Sequence, residues 1–129
     1  MLNSYDSNAA PIFITGVWRS GTTLISRIMN SHNNLDITYD SVHFLRFCLN
    51  KYNPIDNREN AEKLVVDVNE RLVDRYDLEF SVEETLASLN NGFSYAALYD
   101  AIMSNLLLKN SKKSIWGEKT NVAWSKIPD

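Results

Sequence analysis

At 129 residues, 44% of them hydrophobic and 22% charged, the chain has material for one modest folded domain with an ordinary core, which excludes a disordered polymer. Its net charge of -3, with acids and bases interspersed, excludes a broad basic face for nucleic acid, so any bound anion must be held locally. The single cysteine, Cys48, excludes an intramolecular disulfide and a cysteine-rich zinc site, suits a reducing compartment, and reads as a small buried apolar group.

Residues 1–10 are polar, with neither a basic start nor an apolar centre, so they read as a loose lead-in and not a secretory signal. No apolar run approaches the roughly 20 residues that cross a bilayer. A cytoplasmic protein with no membrane or nucleic-acid partner is the expectation. Residues 11–17 are β-rich and free of charge, as in a strand buried on both faces of a parallel sheet.

Gly16 and Gly21 follow at the GxxxxG spacing of a P-loop, with two hydroxyl residues behind them. The lysine that reaches the β and γ phosphates of a nucleoside triphosphate is replaced by Thr22, and the basic residue sits earlier, at Arg19. Beyond Gly21, Leu24, Ile25, Ile28 and Met29 share one helical stripe. Thr22 and Thr23 then fall in a first turn whose free N–H groups point into the loop, a cradle for phosphate or sulfate.

Ser31-His32-Asn33-Asn34 marks a turn with His32 at the surface, residues 35–39 form a short extended piece, and residues 42–49 read as a buried helix. After Asn57, apolar Ala61, Leu64, Val65, Val68, Leu72 and Tyr76 recur at helical spacing, with Glu62, Lys63, Asp67, Glu70 and Arg71 facing outward. Ser81-Val82-Glu83-Glu84 reads as a capping box opening another helix, which Asn91-Gly92 closes. Leu98, Ile102, Met103 and Leu106 stripe a further one. Residues 114–119 read as a second core strand ending in Glu118-Lys119-Thr120-Asn121. Trp116 and Trp124 read as core residues, and Glu118 is either part of the site or only an ion-pair partner of Lys119, the two readings being equally open. A kinase would end that strand in an aspartate for magnesium, whereas Lys119 favours an anion site without metal.

The expected class is α/β: a three-layer, P-loop-like parallel sheet with a long helical insertion. Two core strands are fewer than such sheets hold, so the chain is expected to be the N-terminal part of a larger domain.

Arg19-Ser20-Gly21-Thr22-Thr23-Leu24 after an apolar strand resembles the 5'-phosphosulfate loop of the sulfotransferases. Trp116-Gly117-Glu118-Lys119-Thr120 resembles the Gly-Asp-Lys-Thr element that ends a later strand in bacterial and Golgi-type members. The resemblance implies transfer of a sulfuryl group from 3'-phosphoadenosine 5'-phosphosulfate (PAPS) to a hydroxyl or amine on a small-molecule or glycan acceptor. By position, Gly16, Trp18, Arg19, Ser20, Gly21, Thr22 and Thr23 would hold the 5'-phosphosulfate. Arg19 stands where cytosolic members carry a catalytic lysine, and Lys119 would be the second cation. Trp18 either walls the sulfuryl pocket or packs the loop.

The histidine base of a Lys-Thr-His run is replaced here by Asn121, which accepts no proton at neutral pH. Other branches place a glutamate in a Pro-Glu-Thr-His-Phe-like stretch, and the corresponding residues are Tyr39-Asp40-Ser41-Val42-His43-Phe44. Asp40 is the first candidate base, with a role as N-cap ahead of Val42 equally open. His43 is the second, beside a reading as a core histidine. The family's 3'-phosphate elements would lie past Asp129. Two other readings stay open: a P-loop kinase or nucleotide hydrolase, which Thr22 disfavours, and a non-catalytic anion-binding module.

Overall fold

The computed structural model describes residues 10–14, 22–39, 42–89, 92–109 and 112–119. The chain divides into two compact units, one formed by Met1–Arg46 with Leu107–Asp129 and the other by Phe47–Leu106. The fold is mixed α/β with a three-stranded, all-parallel sheet, of the P-loop-like class.

The sheet belongs to the first unit. Strands β1 (Ile12–Ile14), β2 (Leu35–Tyr39) and β3 (Ile115–Lys119) lie in the order β1-β3-β2, with β3 parallel to both neighbours. The adjacency of β1 and β3 agrees with the two core strands expected. The short extended piece at 35–39 becomes a third parallel strand. In β2, Leu35 and Ile37 are buried while Asp36 and Thr38 are half-buried, the period of two that suits a strand covered mainly on one face.

Gly117 explains the tight centre of the sheet. It registers with Ile12 on one side and Ile37 on the other. A Cβ there would stand 2.5 Å from Ile37 Cδ1 and 2.6 Å from the Ile12 carbonyl oxygen, closer than side chains approach. Trp116, next to it, is 3% exposed and meets Phe13 edge to face, ring centroids 6.0 Å apart. The expected core role of Trp116 holds, whereas Trp124 lies outside the described residues.

Helix α1 (Thr22–Asn30) packs chiefly on β2, and its last residue fixes the register of the return: Asn30 Oδ1 accepts the N–H of Ile37 at 2.8 Å. Most of the apolar stripe of this helix is exposed. Leu24, Ile25 and Ile28 are 64%, 48% and 61% exposed, and among the described side chains of α1 the fully buried one is Ser26. A small side chain lets the helix backbone approach the strands, and the bulky stripe faces away.

The expected helix over 42–49 shrinks to α2 (Phe44–Phe47). His43 before it and Asn50 after it both take left-handed backbone angles, φ 47° and 60°, which do not continue a helix. Val42, Phe44, Leu45 and Cys48 are nonetheless buried, Cys48 as expected of a small apolar group.

The second unit is helical. Its long helix α3 (Arg58–Tyr76) starts where Asn57 Oδ1 accepts the N–H groups of Glu59 and Asn60, and ends at left-handed Asp77. Ala61, Leu64, Val65, Val68 and Leu72 are fully buried, as their spacing requires, but Tyr76 is 41% exposed because the helix is ending there. Ser81 caps α4 (Val82–Ala87) by accepting from Glu84 N–H, as the capping box predicts, although α4 stops before Asn91-Gly92. Ser94 caps α5 (Tyr95–Met103), which runs into a π-helical turn at Ser104–Leu108. Leu98, Ile102 and Met103 are buried, while Leu106 is half-buried. Helices α3, α4 and α5 pack on one another. Among the described residues, no helix is long and apolar enough to cross a membrane.

Candidate functional site

All three strands run the same way, so all end on one edge of the sheet. The register aligns their last residues, Ile14 with Lys119 and Tyr39 with Lys119. With neighbouring parallel strands about 4.8 Å apart, the three exit points span roughly 10 Å. The chain leaves this edge toward the glycine-bracketed segment from Ile14, toward Asp40 from Tyr39, and toward Thr120 from Lys119. In open parallel sheets the crevice beyond the carboxyl ends of the strands is where ligands bind.

The candidates divide by how much of them is described. Gly16, Trp18, Arg19, Ser20, Gly21, Asp40 and Asn121 lie outside the described residues. Thr22 and Thr23 open α1, so the backbone runs from strand toward helix N-terminus in the order an anion cradle needs. His43 and Lys119 are described. Lys119 ends the central strand and is only 3% exposed, a buried lysine at the sheet's carboxyl edge and not a solvated strand end. Its burial removes water that would otherwise screen its charge.

Glu118 has a contact that sequence reasoning did not foresee. Its carboxylate is fully buried and accepts two backbone N–H groups from the segment after β2: His43 donates to Oε2 at 2.8 Å and Phe44 to Oε1 at 3.4 Å. The left-handed residue His43, followed by the first helical residue, turns successive N–H groups to one side, a concavity suited to an anion. Glu118 fills it. Alternation along a strand sends the side chains of Glu118 and Lys119 to opposite faces, so the two charges of the motif have separate duties. The sequence signal that points to this is a carboxylate inside an otherwise apolar strand, because a buried charge needs dedicated partners.

Elsewhere in the first unit, Asp36 on β2 is held above its ordinary value of 3.8 by burial, an effect that the charge of Lys113 opposes. His32 lies in an exposed turn where its Nδ1 accepts the N–H of Asn34, the surface position expected. In the second unit, burial pushes the Tyr52 hydroxyl well above the ordinary tyrosine range, and its 2.8 Å bond to Asp67 Oδ2 adds to this. A surface depression in that unit is lined by Asp67, Asn69, Glu70, Arg71, Val73 and Asp74, all from α3, and holds none of the candidate residues. Among the described residues, no group of three or more His, Cys, Asp or Glu side chains gathers as a metal site would require.

Comparison with curated proteins and with solved structures finds no match. The model of the sulfotransferase family matches residues 11–127, nearly the full chain and all three strands. With the parallel sheet, the helix opening at Thr22 and a lysine at the end of the central strand, this match establishes that the chain belongs to the sulfotransferase family, whose chemistry is sulfuryl transfer.

Proposed function

We propose that the chain transfers a sulfuryl group from PAPS to a hydroxyl or amine of a small-molecule or glycan acceptor. The observation that carries this reading is the shared level of Ile14, Tyr39 and Lys119 at the carboxyl edge of the sheet. From that level the segments bearing Arg19 and Asp40 both depart, and His43 follows shortly after.

PAPS supplies an activated sulfuryl group whose S–O bond to the 5'-phosphate breaks as the acceptor oxygen or nitrogen bonds to sulfur. The residues present fit such a donor. The segment from β1 to the helix N-terminus at Thr22 would offer backbone N–H groups to a 5'-phosphosulfate, with Gly16, Trp18, Arg19, Ser20, Gly21, Thr22 and Thr23 as the residues to hold it. Arg19 and Lys119 supply positive charge where the bridging oxygen gains negative charge, and Lys119 does so from a buried position, where such stabilisation is worth most. Asp40 or His43 takes the acceptor proton. The displacement of the basic residue from position 22 to Arg19 favours a phosphosulfate over a nucleoside triphosphate.

The test is titration calorimetry of the chain with 3'-phosphoadenosine 5'-phosphate, with magnesium ATP as the comparison. Binding of the adenosine bisphosphate and none of magnesium ATP is expected. The reverse preference would move the chain to the kinase or hydrolase class. Binding without sulfuryl transfer to any phenol, sugar or amine would leave an anion-binding module.

A further inference from the structure

Building on that functional reading, we propose that Glu118 is a positioning residue for acceptor activation. Its carboxylate clasps the turn that carries His43 to the end of the strand that carries Lys119.

The contacts join distant parts of the chain. The His43 bond spans 75 residues and the Phe44 bond 74. A local Ser, Thr, Asp or Asn cap would satisfy the first N–H groups of α2 without burying a remote charge. The helix so capped has only four residues, too short to need a buried carboxylate for its own stability. His43 is also held in a left-handed conformation that a non-glycine residue adopts at some cost, and such a conformation persists where surrounding contacts over-determine it. Glu118 provides those contacts. It is also the chain neighbour of Lys119, so one carboxylate ties the candidate base segment to the candidate cation. Reacting groups need placement to a fraction of an ångström, and a clasp of two hydrogen bonds from a central sheet strand gives that.

The experiment compares the wild-type chain with Glu118→Gln and Glu118→Asp. Amide hydrogen exchange is read at His43 and Phe44, calorimetry with 3'-phosphoadenosine 5'-phosphate, and turnover from PAPS to a phenol as a function of pH. Glu118→Gln is expected to speed exchange at those two amides and to bind the nucleotide within about threefold of wild type. Its kcat should fall about 10- to 100-fold, the loss that misplacement of about an ångström brings, with a displaced pH limb for the base. Glu118→Asp should recover part of the rate. Adding Asp40→Asn or His43→Ala to Glu118→Gln should cost less than in wild type, because the residues act as one unit. If Glu118→Gln does not fold, Glu118→Asp carries the same readouts.

An unchanged kcat and pH profile, or equal losses in nucleotide affinity and kcat, would overturn the positioning role. A wild-type chain that neither binds the nucleotide nor transfers a sulfuryl group would instead sink the functional reading, and the positioning role with it.

Discussion

The N–H of His43 donates to Glu118 Oε2 at 2.8 Å, joining the turn after β2 to the penultimate residue of β3. Phe44 adds a second bond to the same carboxylate. The two bonds offset the desolvation of a fully buried charge, and they leave Lys119 on the opposite face of the strand. The motif Gly117-Glu118-Lys119 thus separates into a close-packing residue, a clasp and a buried cation.

The close-packing residue makes a direct prediction. Gly117→Ala puts a methyl group against the Ile12 carbonyl oxygen at 2.6 Å, a backbone atom with little room to move, and against the end of the Ile37 side chain, Cδ1, at 2.5 Å. Overpacking of this kind costs about 1–3 kcal/mol. Thermal unfolding followed by circular dichroism should show a lowered Tm, and an unchanged Tm would mean that β1 and β3 lie further apart than described.

Lys119→Met keeps most of the length of the side chain and removes its charge from a buried position. On the proposed mechanism kcat should fall about 100-fold, the effect of losing one preorganised stabilising group, with little change in Tm. Turnover from PAPS measured beside a thermal melt separates the two. Wild-type turnover in the variant would remove Lys119 from the chemistry.

Asp36 predicts a pH dependence. Burial raises its folded-state value above 3.8, so the folded chain favours the protonated form. Its contribution to stability is fully present below 3.8 and lost as the pH rises through the raised value, leaving the ionised group unfavourable at neutral pH. Asp36→Asn, uncharged throughout, should therefore be more stable than wild type at neutral pH, with the advantage disappearing in acid. Urea unfolding at both pH values reads this out. A less stable variant at neutral pH would show that attraction to Lys113 outweighs desolvation.

In the second unit, Asn57 holds two N–H groups at the start of α3, at 2.8 Å from Glu59 and 3.3 Å from Asn60. Asn57→Ala should cost about 1 kcal/mol, while Asn57→Asp should be neutral or better because a negative charge suits a helix N-terminus. Equal stability of the alanine and asparagine forms in chemical denaturation would show that solvent replaces the cap.

Legibility in the sequence followed the range of the interactions involved. Helix α3 was readable because its buried set, Ala61 to Leu72, repeats at helical spacing and its caps are local. The Ser81 cap was readable for the same reason. The third strand was only half legible. Residues 35–39 look extended, but their pairing with 115–119 depends on a segment about 80 residues away. The packing side of α1 was not legible, since periodicity shows that Leu24, Ile25 and Ile28 share a side but not which side meets the sheet. The bonds from His43 and Phe44 to Glu118 were not legible, because sequence displays adjacency along the strand and not the distant segments that pack beside it.

Local chemistry in the chain alone determined the glycine spacing of the loop, the absence of a lysine at position 22, the period of the helices and their caps, and the paired motifs of the family. Each is set by residues within a few positions of one another, where spacing and side-chain type suffice. The tertiary structure alone decided that β2 joins the sheet, that the ends of β1, β2 and β3 share one level, and that Glu118 reaches His43 while Lys119 is buried. Those depend on which distant segments lie side by side, a choice made by the burial and hydrogen bonding of the whole chain.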